Sequence, residues 1–146
     1  MITKSATARY VGLGKDGKGQ VSTESGALRN QAYGFTTRFE GETGSNPEEL
    51  IAAAHASCFT MAASFGLARA GFKDGTLDTT CAVNLEKVGD GFSVTKSALT
   101  LKARVPGIKP DDFARIVTDA KANCPISKLL KCEITLDHTL EDQATA

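Results

Sequence analysis

The sequence has no tryptophan, no Cys-x-x-Cys pair and no excess of either charge, since 17 Lys and Arg balance 17 Asp and Glu. Balanced charge removes the electrostatic reason to expect nucleic acid or an anionic membrane as a partner. Without Cys-x-x-Cys, a zinc ribbon or thioredoxin motif is excluded, and four cysteines in 146 residues are too few for a disulfide-built scaffold. No apolar run accompanies Met1-Ile2-Thr3-Lys4-Ser5, so no signal peptide is expected. The glycine-rich residues 14–19 lack the spacing of a phosphate loop and read as a hairpin reversal. Repeats, linkers and low-complexity segments are missing too, which leaves one domain over residues 1–146.

Hydrophobic residues make up 41% of the chain, ample for a continuous core. The most apolar stretch, residues 50–70, is long enough to cross a bilayer. It carries His55, Ser57, Thr60, Ser64 and Arg69 among small alanines, so it reads as a packed helix. A cytoplasmic protein with reduced thiols is expected, with no membrane partner. Asn46 is placed to cap this helix, Pro47 to occupy its first turn and Glu49 to supply a capping-box acid. The helix should run to about Ala70 and stop at Gly71. Being apolar nearly all round, it should be buried on most faces.

Strands are expected at residues 6–12, 20–23 and 34–40 before that helix, and at 76–88 and 92–105 after it, around an Asp90-Gly91 turn. Pro110 opens a second helix in which Phe113, Ile116, Val117 and Ala120 keep helical spacing. Asn123-Cys124-Pro125 ends it and starts a short helix through Leu130. Residues 132–140 read as a last strand and 141–146 as a fraying tail. The fold class is α+β, mostly antiparallel.

The cysteines differ by context. Cys81 and Cys132 fall on apolar strand faces, where a free cysteine is a small hydrophobe. Cys124 stands at a helix start, where the local positive potential favours thiolate, although capping or packing would place it there as well. Cys58 lies mid-helix among alanines, and an apolar setting raises a thiol pKa unless a cation is near. His55, three residues earlier, shares its helix face. That spacing permits a nucleophile–base pair or two metal ligands, against the plainer reading of a satisfied, partly buried histidine. A metal needs more donors, and His138 stands alone in the last strand.

Residues 45–59, Ser-Asn-Pro-Glu-Glu-Leu-Ile-Ala-Ala-Ala-His-Ala-Ser-Cys-Phe, resemble the helix signature of the OsmC/Ohr family of bacterial thiol peroxidases. Residues 122–127, Ala-Asn-Cys-Pro-Ile-Ser, resemble its second cysteine motif, and residues 21–26 and 33–41 are similar to the OsmC branch. The likeness extends over essentially the whole chain. It implies an OsmC-like fold, with sheets packed around a long central helix in an intertwined homodimer. It also implies Cys58 as the peroxidatic thiolate, Cys124 as the resolving thiol, Arg38 as the cation beside Cys58, and Glu48 as the acid orienting Arg38, with the adjacent Glu49 as the competitor for that role.

The implied activity is reduction of organic hydroperoxides, and more weakly of hydrogen peroxide, without cofactor. A Cys58 sulfenic acid and a Cys58–Cys124 disulfide follow, reduced by an external dithiol such as a lipoylated protein. Ala53, Ala54, Phe59 and Ala62 are expected to make the surroundings of Cys58 an apolar pocket. Glu48 and Cys58, ten residues apart, lie about 15 Å from each other along one helix. An active site composed from two chains would bring them together. The alternatives are a thiol hydrolase using Cys58 with His55, and a non-catalytic dimer that binds apolar ligands.

Overall fold

The computed structural model describes residues 1–141, so the expected fraying beyond Glu141 lies outside the described residues. The chain falls into two compact units, Met1–Leu50 and a second beginning at Ile51.

In the first unit, β1 (Ala6–Val11), β2 (Lys18–Thr23) and β3 (Gln31–Tyr33) form an antiparallel sheet in that order, with Ala6 opposite Thr23 and Gly19 opposite Tyr33. The reversal between β1 and β2 holds one 3-10 turn, Gly14–Asp16. Gly17 and Gly19 are buried because the rings of Tyr10 and Tyr33 lie on their backbones; a Cβ at Gly19 would meet the Tyr33 ring at 2.6 Å. The strand expected over residues 34–40 is instead a short helix, α1 (Phe35–Phe39). Thr37 turns the chain: its hydroxyl accepts the Gly34 N–H at 2.8 Å and donates to the Gly34 carbonyl at 3.0 Å, an alternative to strand pairing. This unit has no buried large apolar residue. Tyr10, Val11, Leu13, Phe35 and Phe39 are all exposed.

The long helix α2 (Pro47–Arg69) starts as the sequence indicates: Asn46 Oδ1 accepts the Glu49 N–H at 2.8 Å. It ends in a Schellman motif. Gly71, at φ 98°, donates its N–H to Ala68, and Phe72 donates to Leu67. By length and composition alone α2 is able to cross a membrane. Its buried stripe of His55, Phe59, Ala63 and Leu67 belongs to the core of the second unit. The opposite face, with Met61 at 62% and Phe65 at 59% exposure, is open. A helix buried on most faces was expected; within one chain, only one stripe of an all-apolar helix is covered.

The second unit pairs β4 (Thr76–Val88) with β5 (Gly91–Arg104) in a long antiparallel hairpin. There follow α3 (Pro110–Asn123), α4 (Pro125–Leu129) and β6 (Glu133–Leu140). β6 pairs with β5 in parallel, Ser97 opposite Ile134, a parallel edge within a mostly antiparallel arrangement. The two helices between β5 and β6 form the crossover that parallel neighbours require. Phe59, Ala63 and Leu67 pack in one cluster with Leu99, Leu101 and Ala103 of β5 and Phe113, Val117 and Ala120 of α3. Gly66 allows the close approach of α3, since a Cβ there would stand 2.9 Å from Ile116 Cγ2.

Candidate active site

Cys58 is half-buried on the flank of α2, and the chain returns to it at the α3–α4 junction. Pro125 holds the preceding Cys124 in an extended conformation, φ −63° and ψ 140°, so Cys124 ends α3 and caps α4. Cys124 is 1% exposed, and its sulfur accepts the Ser127 N–H at 3.3 Å. The Ile126 N–H and the Cys124 thiol lie close enough to Cys58 to bear on its ionisation. Two sulfurs 66 positions apart in sequence thus share the first turn of α4. Burial pushes the Cys58 thiol up, the neighbouring Cys124 adds to this, and the Ile126 N–H offsets it only in part. In its own surroundings Cys58 is held as a thiol.

Arg38 and Glu48 meet within the first unit. Arg38 Nε donates to both carboxylate oxygens at 3.1 Å and Nη2 donates to Oε1 at 2.5 Å. Glu48 is 9% exposed while the Arg38 side chain is 35% exposed, so the couple is bidentate with its carboxylate buried and its guanidinium reaching solvent. Glu49 is engaged elsewhere, accepting the Ser45 hydroxyl at 3.0 Å. Beside Arg38 opens a cavity of about 210 Å³ walled by Tyr10, Tyr33, Phe35, Phe39 and Pro47. Of the residues expected to make an apolar pocket around Cys58, Phe59 points into the core, Ala53 and Ala54 are exposed, and Ala62 packs half-buried against the core and lines a cavity with Cys124. A helix sends adjacent residues to different faces, so sequence neighbours of a thiol do not line it.

His55 is wholly buried, with Nδ1 2.6 Å from Ser97 Oγ and Nε2 2.8 Å from Ser127 Oγ. Both ring nitrogens are thereby taken, and burial lowers the imidazole pKa. Cys81 lies 3.2 Å from Ser97 Oγ, and burial raises its thiol pKa with Cys132 adding to it. His138 stands edge-on to Phe113 at 5.7 Å. Among the described residues no group of three or more His, Cys, Asp or Glu is arranged to hold a metal ion. Sequence reasoning missed Ser97, Ser127, the Ile126 N–H and the aromatic cavity. One signal was available, since Ser127 sits three residues after Cys124, where a helix's free N–H meets its cap.

The family model described as OsmC-like protein matches residues 40–139. The chain belongs to the OsmC family. It is 56% identical over 140 residues to peroxiredoxin OsmC of Escherichia coli (strain K12), covering 96% of this chain and 98% of that one. It is 30% identical over 131 residues to organic hydroperoxide resistance protein-like 1 of Staphylococcus epidermidis (strain ATCC 35984), covering 85% and 87%. The crystal structure of the organic hydroperoxide resistance protein OhrB of Bacillus subtilis matches with a TM-score of 0.68 at 25% identity, covering 96% and 98% of the two chains.

Proposed function

We propose that this member of the OsmC family is a two-cysteine thiol peroxidase that reduces organic hydroperoxides to alcohols. The observation that carries the reading is the meeting of the Cys58 and Cys124 thiols at the first turn of α4. The names of the E. coli and Staphylococcus relatives agree with it. The Cys58 thiolate attacks the distal oxygen of ROOH, the O–O bond breaks, and ROH leaves with a Cys58 sulfenic acid behind. Cys124 attacks the sulfenic sulfur, releasing water and forming the disulfide. An external dithiol, such as a lipoyl group on a protein partner, restores both thiols in the cytoplasm.

Cys58 needs a cation, because burial holds its thiol up. Arg38 is that cation in this proposal, with Glu48 fixing the guanidinium plane. Ten residues of helix separate Glu48 from Cys58, about 15 Å of rise. The couple therefore serves Cys58 of a second copy, in a homodimer that covers Met61 and Phe65 on α2. The aromatic walls beside Arg38 suit the alkyl group of an organic hydroperoxide better than hydrogen peroxide. The hydrolase alternative loses its Cys58–His55 pair, since the ring nitrogens of His55 bond Ser97 and Ser127 and not Cys58.

The test is intact-mass analysis after one equivalent of cumene hydroperoxide. Loss of two hydrogens, mapped to Cys58 and Cys124, is expected. Unchanged thiols with peroxide still present would sink the proposal and favour the non-catalytic, ligand-binding dimer.

A further inference from the structure

Resting on the peroxidase reading, we propose that His55 is a positioning residue for the second half of the reaction, accepting the Cys124 proton through the Ser127 hydroxyl as the disulfide forms. Five polar side chains form one line through the interior of the second unit. Cys124 Sγ lies 3.2 Å from Ser127 Oγ, which lies 2.8 Å from His55 Nε2. On the other side of the ring, Nδ1 lies 2.6 Å from Ser97 Oγ, and that oxygen lies 3.2 Å from Cys81. His55, Ser97 and Cys124 are each no more than 1% exposed, and Ser127 is 6% exposed. Hydrogen bonding explains why such a line is tolerated in a core. It does not explain its presence, because apolar groups of the same shape are often as stable there.

The hydrogens order themselves. With a proton on Nδ1, the ring donates to Ser97, and Ser97 donates to Cys81. Nε2 is then an acceptor and takes the Ser127 O–H, which leaves the Ser127 lone pair facing the Cys124 S–H. As the Cys124 sulfur attacks, its proton passes to Ser127 Oγ while the Ser127 proton passes to Nε2. No heavy atom has to move. The nascent thiolate keeps two donors, the Ser127 hydroxyl and the Ser127 N–H at 3.3 Å.

The S–S bond forms as the S–O bond of the sulfenic acid breaks. Cys124 sulfur is oxidised, Cys58 sulfur is reduced, and hydroxide departs. The proton held by the imidazole ends on that hydroxide as water, so no net proton is gained or lost. Burial lowers the imidazole pKa, which keeps the ring neutral and ready at the outset and returns the proton afterwards. The titratable groups facing the ring are Cys81 from β4 directly and Cys124 through Ser127, with Cys58 of α2 beyond it. Among the described residues, no Asp, Glu, Lys or Arg is hydrogen-bonded to the ring.

The test is acid-quench mass spectrometry of the reduced protein mixed with one equivalent of cumene hydroperoxide, timing sulfenic acid formation and disulfide formation separately. In His55→Gln, which retains hydrogen-bonding groups but takes no proton, the ratio of the second rate to the first falls at least about tenfold. The disulfide rate of the unsubstituted protein is nearly flat from about pH 7 to 8, as for a base whose pKa burial has lowered. In His55→Gln it climbs by about tenfold per pH unit, as expected when hydroxide has to take the proton in place of the imidazole. If His55→Gln does not fold, Ser127→Ala is read in the same two ways. A Gln variant that forms the disulfide as fast as the unsubstituted protein, or with the same pH slope, overturns the proposal. Absence of any Cys58–Cys124 disulfide in the unsubstituted protein overturns the peroxidase reading instead.

Discussion

Arg38 and Glu48 belong to a stretch, Met1–Leu50, in which no large apolar side chain is buried, whereas Cys58 packs against, and Cys124 belongs to, a closed cluster that begins at Phe59. In the second region each functional group has a packed support: the core fixes α2, Pro125 fixes the Cys124 backbone, and α4 supplies the Ser127 N–H to the Cys124 sulfur. In the first, the ion pair is well made, but Val11 and Leu13 stand open to solvent. A sheet that buries little apolar surface is marginal alone. On the proposed reading, the exposed aromatic and aliphatic surface of the first region is where a second chain completes the fold. The difference suggests a division of labour, with thiols housed by one chain's core and the charge that activates them lent by another.

The largest effect expected from this comparison is all or none. Cys58→Ser and Arg38→Ala homodimers should each be close to inactive toward cumene hydroperoxide. Refolded together at equal amounts, they should regain about a quarter of the normal activity, because random pairing makes half the dimers mixed and each mixed dimer holds one intact site. Mixed dimers without activity would break the idea that Arg38 serves the partner's Cys58.

A smaller effect separates the two regions by pH. Burial holds the Cys58 thiol up, so its thiolate fraction without a cation is low at neutral pH and rises as the solution becomes alkaline. Arg38→Ala should therefore lower the rate of peroxide consumption by about 10²-fold at pH 7, the usual worth of one preorganised donor. Raising the pH should recover much of that loss, whereas the unsubstituted protein should gain little. Stopped-flow peroxide consumption across the pH range reads both. A loss that persists at alkaline pH would assign Arg38 to binding substrate and not to ionising Cys58.

The sequence carried the regular elements of the second region almost residue by residue. β4, α2 and α3 are marked by strict alternation, by Asn46-Pro47 and Gly71, and by Pro110 with helical spacing. What it did not carry was anything decided by contacts distant along the chain. α1 in place of a strand depends on one Thr37–Gly34 exchange, and the parallel β5–β6 pair depends on the path of two helices. The cysteine pair was legible only through family resemblance, because 66 residues of chain say nothing about proximity. For His55 the plainer reading is a satisfied, partly buried histidine, and it is in fact wholly buried; its partners, 42 and 72 residues away, have no local signature.

The smallest effect falls at the joint between the regions. Asn46 caps α2 one turn before the helix enters the second unit, and Glu48 stands two residues past that cap. Asn46→Ala removes the acceptor for the Glu49 N–H, at a cost of about 1 kcal/mol. For a chain of this length, that lowers the Tm by about 2–4 °C. Activity should fall by no more than about twofold (0.4 kcal/mol), since the Ser45–Glu49 hydrogen bond still ties the helix start and the bidentate Arg38–Glu48 couple does not use the cap. Thermal unfolding and kcat/KM measured on one preparation decide the matter. If activity dropped tenfold for so small a loss of stability, the first turn of α2, and not the ion pair alone, would be setting the plane of the guanidinium. The first region would then be as dependent on fine backbone support as the thiol region.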